Sequence, residues 1–424
     1  MYLDEIVQAQ KRGEAKGIPS ICSAHPYIIN QTLRVSKTLR VSALIEATCN
    51  QVNQFGGYTG MTPVDFVRYV RGIAQENNHP FENIILGGDH LGPNVWQNEP
   101  AESAMQKSAV MVRDYVQAGF VKIHLDCSMK LEDDPNGPLD MEVSAKRAAQ
   151  LAKVAEESMG MERRSTLRYI IGTEVPIPGG AQEHEETISV TNVADVEQTI
   201  QVTREAFLRA GLESAWERVT GVVVQPGVEF GDDFVLEYQP EKAKKLSKFI
   251  ESQSMIYEAH STDYQSRAAL ANLVRDHFAV LKVGPALTFA FREGVFALAI
   301  MEDELFSKEE RSNLIRVLDE AMIQRPEHWR KYYDGSEAER AFKRKYSFSD
   351  RLRYYWPDTQ VQNAFKRLLK NLDGKPLPLS LLSQFAPAQY ARIRNRELEN
   401  RAEDMLLDRI NVVLWDYHAA CMNT

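Results

Sequence analysis

Short apolar runs rich in β-branched residues recur along the chain up to residue 284, and most are separated by stretches of helical periodicity. Such alternation is typical of parallel strands that are covered by helices on their outer face. We predict eight strands, at IPSICSA (18–24), SALIEAT (42–48), NIILGGD (83–89), VKIHLD (121–126), YIIGTEV (169–175), VTGVVVQ (219–225), MIYEAH (255–260) and FAVLKVG (278–284).

Eight strand–helix units predict an α/β fold, the (β/α)8 or TIM barrel, which needs about 250 residues, and more with insertions. A doubly wound sheet is the alternative. It is disfavoured because no GxGxxG turn follows the first run. In addition, side chains capable of chemistry end nearly every strand, whereas a doubly wound sheet collects them at one switch point.

Beyond about residue 305 the pattern changes to helical sequence with aromatic interruptions, such as RPEHWRKYY (325–333) and YSFSDRLRYYWPD (346–358). Prolines punctuate short elements there without forming a flexible linker. We therefore predict a barrel over 1–305 and a helical C-terminal extension over 306–424. The extension would pack on the barrel or on a partner.

Composition and charge narrow the class of protein. Fifty Lys and Arg against 59 Asp and Glu give a formal charge of -9 without a long basic run, which argues against a nucleic-acid or membrane surface. The four cysteines are far apart and form no CxxC pair, and no apolar stretch approaches the roughly 18 residues of a membrane span. We expect a cytoplasmic protein that binds a small molecule.

Side chains suited to metal binding end several of the predicted strands. Asp89 and His90 end the third strand, Glu174 the fifth, Gln225 the sixth and His260 the seventh. The carboxyl ends of barrel strands meet at one mouth, so we expect these groups to converge. Two imidazoles, a carboxylate and an amide oxygen suit zinc or manganese. Ordinary turns with a capping Asp and a solvated His are the structural alternative.

The fourth strand carries three polar residues on one face, because side chains alternate along a strand. Asp126 and His124 lie near its end, with Lys122 below them. Asp89 and Asp126 are the candidate catalytic carboxylates. For Lys122 we favour a buried ion pair that supports the barrel floor.

The loops after strands seven and eight form the usual phosphate site of such barrels. Here they supply Ser261, Thr262 and Gly284, although a plain Gly-Pro turn explains the last equally well. Lys282 offers another interpretation, a Schiff-base lysine of a metal-independent aldolase. That interpretation leaves the two histidine motifs unused.

Nine segments spread over nearly the whole chain resemble the GatZ/KbaZ family: ICSAHP (21–26), LIEATCNQVNQFGGYTGMTP (44–63), ILGGDHLGPN (85–94), KIHLDCSM (122–129), IGTEVPIPGG (171–180), VVQPGVEF (223–230), YEAHSTDYQ (257–265), LKVGPALTFA (281–290) and RYYWPD (353–358). The resemblance implies a role in tagatose 6-phosphate catabolism, in galactitol or N-acetylgalactosamine breakdown. It also implies a partner, the zinc-dependent Y-type subunit of tagatose-1,6-bisphosphate aldolase, whose activity and stability the Z-type subunit supports without being catalytic by itself.

The resemblance extends to the class II aldolases. Asp89 and His90 fall on that family's catalytic Asp and first metal His, Glu174 on its strand-five Glu and His260 on its last metal His. Gln225 replaces a metal His, and this departure argues against ordinary zinc-dependent cleavage. The alternatives are therefore an accessory subunit, a metal-dependent C4 epimerase of tagatose and fructose phosphates, and a self-contained aldolase.

Older labels of the family name a tagatose 6-phosphate kinase. The chain contains no GxxxxGK[ST] loop and no other Gly-rich strand–loop–helix that would hold a nucleotide. We therefore predict no nucleotide cofactor. The resemblance implies a phosphorylated ketose as the ligand.

Overall fold

A computed structural model describes residues 2–172 and 189–422. Eight parallel strands close into a barrel in which each strand pairs with its neighbours in chain order and the last pairs with the first. The predicted (β/α)8 barrel is confirmed. Its strands are β1 Ile18–Ile21, β2 Ala43–Thr48, β3 Ile84–Leu91, β4 Lys122–Leu125, β5 Arg168–Ile171, β6 Val219–Val223, β7 Ile256–Ala259 and β8 Phe278–Val283.

The helices surround this barrel, and none in the described part of the chain is long and apolar enough to cross a bilayer. They are α1 Tyr2–Lys11, α2 Pro26–Leu39, α3 Pro63–Glu76, α4 Ala101–Ala118, α5 Met141–Ser158, α6 Met161–Arg164, α7 Val193–Arg209, α8 Glu213–Trp216, α9 Pro240–Ile250, α10 Arg267–Arg275, α11 Pro285–Leu305, α12 Leu314–Gln324, α13 Glu337–Tyr346, α14 Thr359–Leu372, α15 Leu379–Phe385, α16 Pro387–Arg394 and α17 Ala402–Met422.

Local sequence explains where these helices begin and which face they bury. In α3, for example, Thr62 and Asp65 form a capping box around a proline at the first helical turn. Its apolar positions recur at helical spacing, and Phe66, Val70 and Ile73 are buried against the barrel core. Helix α1 instead packs Leu3 and Ile6 into an apolar cluster with residues of the strands.

The last helix belongs to the layer around the barrel. Helix α17 packs against α10, α11, α2 and strand β1, and the N–H of Gly17, just before β1, donates to the carbonyl of Cys421 at 2.9 Å. It therefore lies where the eighth helix of a barrel is expected. The boundary at residue 305 stays a prediction, but the end of the chain completes the helical layer.

Two further segments matter for the site. A short antiparallel ribbon pairs Glu229–Phe230 with Val235–Leu236, which the hydrophobic pattern did not predict. Two 3-10 turns of the C-terminal part, Pro326–His328 and Arg351–Tyr355, contribute residues to the cavity at the mouth of the barrel. The mouth is thus built from both halves of the chain.

Candidate functional site

A cavity of about 530 Å³ opens at the carboxyl ends of the strands, where barrel enzymes place their active sites. Much of the predicted site lies on its wall. The predicted residues that line it are Asp89, His90, Asp126, His260, Ser261 and Gly284. Gln225 and Thr262 do not line it, and Glu174 lies outside the described residues.

An irregularity at the end of β3 turns two consecutive side chains into this cavity. Asp89 and His90 together oppose the single residue His124 of β4, because the pairing shifts between Gly88 and Leu91. The backbone of His90 is left-handed, with φ of 51°. In a regular strand consecutive side chains point to opposite faces, so both could not reach the mouth.

The same left-handed backbone recurs at Ser261, which follows β7 and has φ of 52°. Residues other than glycine adopt this conformation at a cost of order 1–3 kcal/mol, and such positions concentrate at functional sites. Both strained residues, His90 and Ser261, line the cavity. Two of the nine non-glycine residues with positive φ in the described chain therefore lie at the mouth that the strand-end pattern predicts.

Three histidines and an aspartate cluster at the bottom of the cavity. The ring centroids of His90, His124 and His260 lie 5.0 to 5.3 Å apart. One ligand atom from each, with one from Asp89, lies within 4.8 Å of the others, and all four residues are buried. This cluster could bind a metal ion. His124, which the predicted metal set did not include, is thus its third imidazole.

Carboxylates fix the orientation of two of these rings. Asp126 Oδ2 lies 2.8 Å from His90 Nδ1, and Glu258 Oε1 lies 3.0 Å from His260 Nε2. Asp126 is itself held by Ser128, whose hydroxyl donates to Oδ1 at 2.6 Å. A carboxylate that forms a hydrogen bond with one ring nitrogen of a histidine leaves the other ring nitrogen available to a metal, as in most protein metal sites.

The third imidazole, His124, has its Nδ1 2.9 Å from Asp89 Oδ1. Its buried Nε2 has no hydrogen-bond partner among the described residues. The other Asp89 oxygen, Oδ2, lies 3.6 Å from His90 Nε2. Two ligands about 2.1 Å from a tetrahedral ion are about 3.4 Å apart, so this pair fits a shared cation.

Protonation in the cluster follows from burial and nearby charge. Burial lowers the pKa of His260 to about 4, which keeps its imidazole neutral and able to bind a metal. Burial acts in the same direction on His90, but the carboxylates of Asp89 and Asp126 outweigh it and the pKa of His90 is raised. Burial alone would raise the pKa of Asp89, yet His90 and Lys282 hold it well below its usual value.

Below the cluster, two lysines and two glutamates form a buried floor. Lys122 Nζ lies 2.7 Å from Glu46 Oε1 and 2.8 Å from Glu258 Oε2. The buried ion pair expected for Lys122 is therefore present. Lys282 Nζ lies 2.9 Å from Glu46 Oε2 and 2.8 Å from Asp89 Oδ1. Glycine at position 87 makes room for this floor, because a Cβ there would lie 2.6 Å from the Glu46 side chain.

The floor argues against a Schiff-base lysine. Burial opposes the charge of Lys282, but Asp89 and the other surrounding acids raise its pKa well above the usual value. A Schiff-base lysine needs a lowered pKa, since only the neutral amine attacks a carbonyl. Lys282 therefore remains an ammonium that neutralises the carboxylates around it.

The loops after β7 and β8 are occupied by the chain itself. Asp263 Oδ1 accepts hydrogen bonds from the N–H groups of Gly284 and Ala286, at 2.9 and 2.8 Å, where α11 begins. The Thr262 hydroxyl donates to the carbonyl of Lys282 and contacts the Tyr417 hydroxyl. A carboxylate thus holds the amides that many barrels offer to phosphate.

Gln225 uses its amide group to shape its own loop. Its Oε1 accepts hydrogen bonds from the N–H groups of Gly227 and Val228, at 2.8 and 3.1 Å. In this structure the amide oxygen of Gln225 is therefore engaged by its own loop. Both lone pairs of the amide oxygen are engaged.

The sequence interpretation left out the contribution of the C-terminal part to the cavity. The segment RYYWPD carries a sequence signal for this contribution, because it places an arginine beside two tyrosines. Residues from this part that line the cavity are Glu327, His328, Lys331, Tyr332, Arg351, Arg353 and Tyr354.

A family model described as "D-tagatose-1,6-bisphosphate aldolase subunit GatZ/KbaZ-like" matches residues 3–422. The chain belongs to this GatZ/KbaZ-like family. Proteins named D-tagatose-1,6-bisphosphate aldolase subunit GatZ, from Salmonella heidelberg (strain SL476) and Salmonella agona (strain SL483), are each 50% identical to it over 419 residues. The matches cover 99% of this chain and 99% of each relative.

A solved structure of similar fold belongs to a protein described as a probable tagatose 6 phosphate kinase from Sinorhizobium meliloti 1021. It is 46% identical, has a TM-score of 0.89, and covers 96% of this chain and 100% of its own. This chain therefore shares its architecture, the barrel with its helical C-terminal part, with that protein.

Proposed function

We propose that this chain is a subunit of D-tagatose-1,6-bisphosphate aldolase that works with a catalytic class II subunit of the Y type and supports its activity and stability. The observation that carries the proposal is 50% identity over 99% of both lengths to proteins named as this subunit. The ligand class is a phosphorylated ketose. The C4 epimerase alternative has no support from these relatives, whose names are those of aldolase subunits.

We also propose that the imidazole cluster holds a divalent cation, zinc or manganese. Among the described residues, the cluster and its floor contain four buried carboxylates and two lysines, so a divalent charge balances this set when the histidines are neutral. The carboxylates are those of Glu46, Asp89, Asp126 and Glu258. His90, His124 and His260 would be the nitrogen ligands, with Asp89 completing the set. Such an ion polarises the oxygens of a bound ketose.

The carboxylates of the site have different roles in this proposal. Asp126 has both oxygens engaged, by His90 and by Ser128, so it positions the His90 ring and does not move a proton. Asp89 shares Oδ1 between Lys282 and His124 and keeps Oδ2 for the ion or the substrate. Its low pKa makes it a weak base, which fits a subunit that needs a catalytic partner.

The phosphate-binding role predicted for Ser261, Thr262 and Gly284 stays a prediction; Ser261 and Gly284 line the cavity, whereas Thr262 does not. The metal roles predicted for Glu174 and Gln225 stay predictions. Gln225 would have to release two backbone hydrogen bonds to take up such a role.

The test is reconstitution with a purified Y-type subunit. We expect the chain alone to leave tagatose 1,6-bisphosphate uncleaved, and to lengthen the half-life of the partner's activity when mixed with it. Binding of the native partner by mass action predicts this stabilisation. A folded His90→Ala chain should retain it. Cleavage by the chain alone, or no effect on the partner at any ratio, would contradict the proposal.

A further inference from the structure

Two arginines of the C-terminal part line the cavity. Their surroundings differ from those of the two lysines on its floor. Arg351 and Arg353 belong to the 3-10 turn Arg351–Tyr355, and both lie on the cavity wall with the Asp–His cluster. Lys331 is an exposed residue of the neighbouring segment that lines the same cavity. Three cations from one region therefore face the space in which a substrate would lie.

Arg351 is buried and Arg353 is half-buried, and no carboxylate pairs with either of them in the part of the chain that the structure describes. Arg351 is only 4% exposed, and its Nε has no hydrogen-bond partner among the described residues. Arg353 donates to the carbonyls of Ser349 and Asp350 and to the Tyr354 hydroxyl. Within residues 2–172 and 189–422, neither guanidinium forms an ion pair with a carboxylate.

Three acids near the arginines have other partners. Glu327, which also lines the cavity, has its Oε1 3.9 Å from His328 Nε2. Asp350 accepts a hydrogen bond from the Thr288 hydroxyl and lies 3.5 Å from Arg292. Asp263 accepts from the backbone of Gly284 and Ala286. A buried charge without a partner is unfavourable, so buried charges in proteins are paired or hydrogen-bonded. The missing partner of this pair of arginines is an anion.

Aromatic rings hold both guanidinium groups in place. The Cζ of Arg351 lies 3.3 Å from the centroid of the Tyr332 ring, and the Cζ of Arg353 lies 4.5 Å from that of Tyr354. Arg351 is also 6.0 Å from the Tyr354 ring, so the two cations share one neighbour. Stacked guanidinium groups keep their N–H edges for phosphate oxygens, which they bind with two parallel hydrogen bonds.

The other phosphate position of a barrel mouth is blocked. The amides at the start of α11 already bind the carboxylate of Asp263, so a phosphate there would have to displace a negative charge. The arginine wall offers the opposite, two cations that have no counter-ion among the described residues. Attraction therefore directs the charged end of a ligand away from the β7 and β8 loops and toward the C-terminal part.

We propose that Arg351 and Arg353, with Lys331 at the rim, form the phosphate subsite of this protein. A ketose phosphate then spans the cavity, with its hydroxyl and carbonyl oxygens at the histidine cluster and its phosphate on the arginines. The sugar-phosphate identity of the ligand rests on the function proposed above. The anion subsite itself rests on the unpaired arginines.

The experiment is calorimetric titration of the full chain with inorganic phosphate, tagatose 6-phosphate and unphosphorylated tagatose. We expect tagatose 6-phosphate to bind at least 10-fold more tightly than tagatose. The variants Arg351→Met and Arg353→Met keep an unbranched stem, and each should weaken binding of the phosphorylated sugar 10-fold or more. Lys331→Met, at an exposed position that is not needed for folding, should weaken it about 3-fold.

Arg394→Met is the matched control, because Arg394 also contacts a tyrosine, Tyr390, but lies on an exposed helix away from the cavity. It should bind like wild type. If an Arg→Met chain does not fold, the Arg351→Lys and Arg353→Lys chains replace it, and they should keep partial affinity.

Equal affinity of the wild-type chain for tagatose and tagatose 6-phosphate would overturn the subsite. Unchanged binding in folded Arg351→Met and Arg353→Met chains would overturn it too. Stabilisation of the Y-type partner is measured without substrate in a separate assay. If the subsite fails its binding test but the chain still stabilises the partner, the proposed function stands. If the arginines bind the phosphate but the chain does not stabilise the partner, the proposed function is wrong and the anion site remains.

Discussion

The charged side chains on the floor of the cavity and those on its rim have different kinds of partners. On the floor, Lys122 and Lys282 each contact two carboxylates within 3 Å. On the rim, which Arg351, Arg353 and Lys331 form, the two arginines are held by aromatic rings and carbonyls and contact no carboxylate of residues 2–172 and 189–422. Charges that are paired in the folded chain serve the fold, whereas charges left without a partner are available to a ligand.

The largest effect should come from the floor. Lys122→Met leaves Glu46 and Glu258 without their shared cation in a fully buried place, so we expect a loss of about 3–5 kcal/mol in the free energy of unfolding. Urea denaturation measures it. Lys153→Met, which removes an exposed lysine of a helical ion pair, is the control and should leave the midpoint unchanged. A floor variant as stable as this control would mean that the floor charges are not needed by the fold.

Binding of a metal to the histidine cluster should give the next largest change. At a zinc concentration 100-fold above Kd, we expect stabilisation of about 2.7 kcal/mol, seen as a higher thermal midpoint. His124→Ala should abolish the shift, whereas Gln225→Ala should keep it, because the amide oxygen of Gln225 is held by the N–H groups of Gly227 and Val228. A shift of the thermal midpoint that persists in His124→Ala and disappears in Gln225→Ala would favour the ligand set predicted from the sequence, which includes Gln225.

A pH-dependent effect on stability is expected at Asp263, which accepts hydrogen bonds from the N–H groups at the start of α11. Burial raises the pKa of Asp263 to about 6 from a usual value of 3.8, so the folded chain keeps a proton that the unfolded chain releases. The contribution to stability is full below about pH 4 and is lost as pH rises through about 6.

Asp263→Asn should therefore be more stable than wild type at pH 7.5, by about 3 kcal/mol, and equal to it near pH 4. The asparagine oxygen still accepts from Gly284 and Ala286. Asp373→Asn, at an exposed helix end, serves as the control. Denaturant midpoints across this pH range decide the matter: parallel curves for wild type and Asp263→Asn would show that Asp263 is ionised without cost.

The smallest effect on stability is expected at the rim. Arg351→Met removes a cation that has no acidic partner and keeps its apolar stem against Tyr332, so we expect a change of about 1 kcal/mol or less, in either direction. Urea denaturation of the unliganded protein tests this beside Lys122→Met. A loss as large as that of the floor variant would show that Arg351 serves the fold and would break the comparison.

The sequence predicts the barrel well, because eight buried strands leave eight apolar runs of similar length. It also predicts which strand ends carry polar groups. It does not predict that Asp89 and His90 both face the cavity, since that depends on a pairing shift against β4. His124 joins the cluster through the same shift.

Other parts of the site depend on contacts between distant segments. Thr262 looked like a phosphate ligand, but its hydroxyl is engaged by residues at positions 282 and 417. Arg351 and Arg353 reach the mouth only because the C-terminal part folds over it. Periodicity along the chain carries no information about such long-range packing, so these roles emerge from the structure.

A crystal structure of the chain with zinc and tagatose 6-phosphate tests the account most directly. We expect the ion on the nitrogens of His90, His124 and His260, and the phosphate within hydrogen-bond distance of Arg351 and Arg353. A phosphate bound instead by Ser261 and the backbone of Gly284, with Asp263 displaced and the arginines unliganded, would contradict the division between floor and rim.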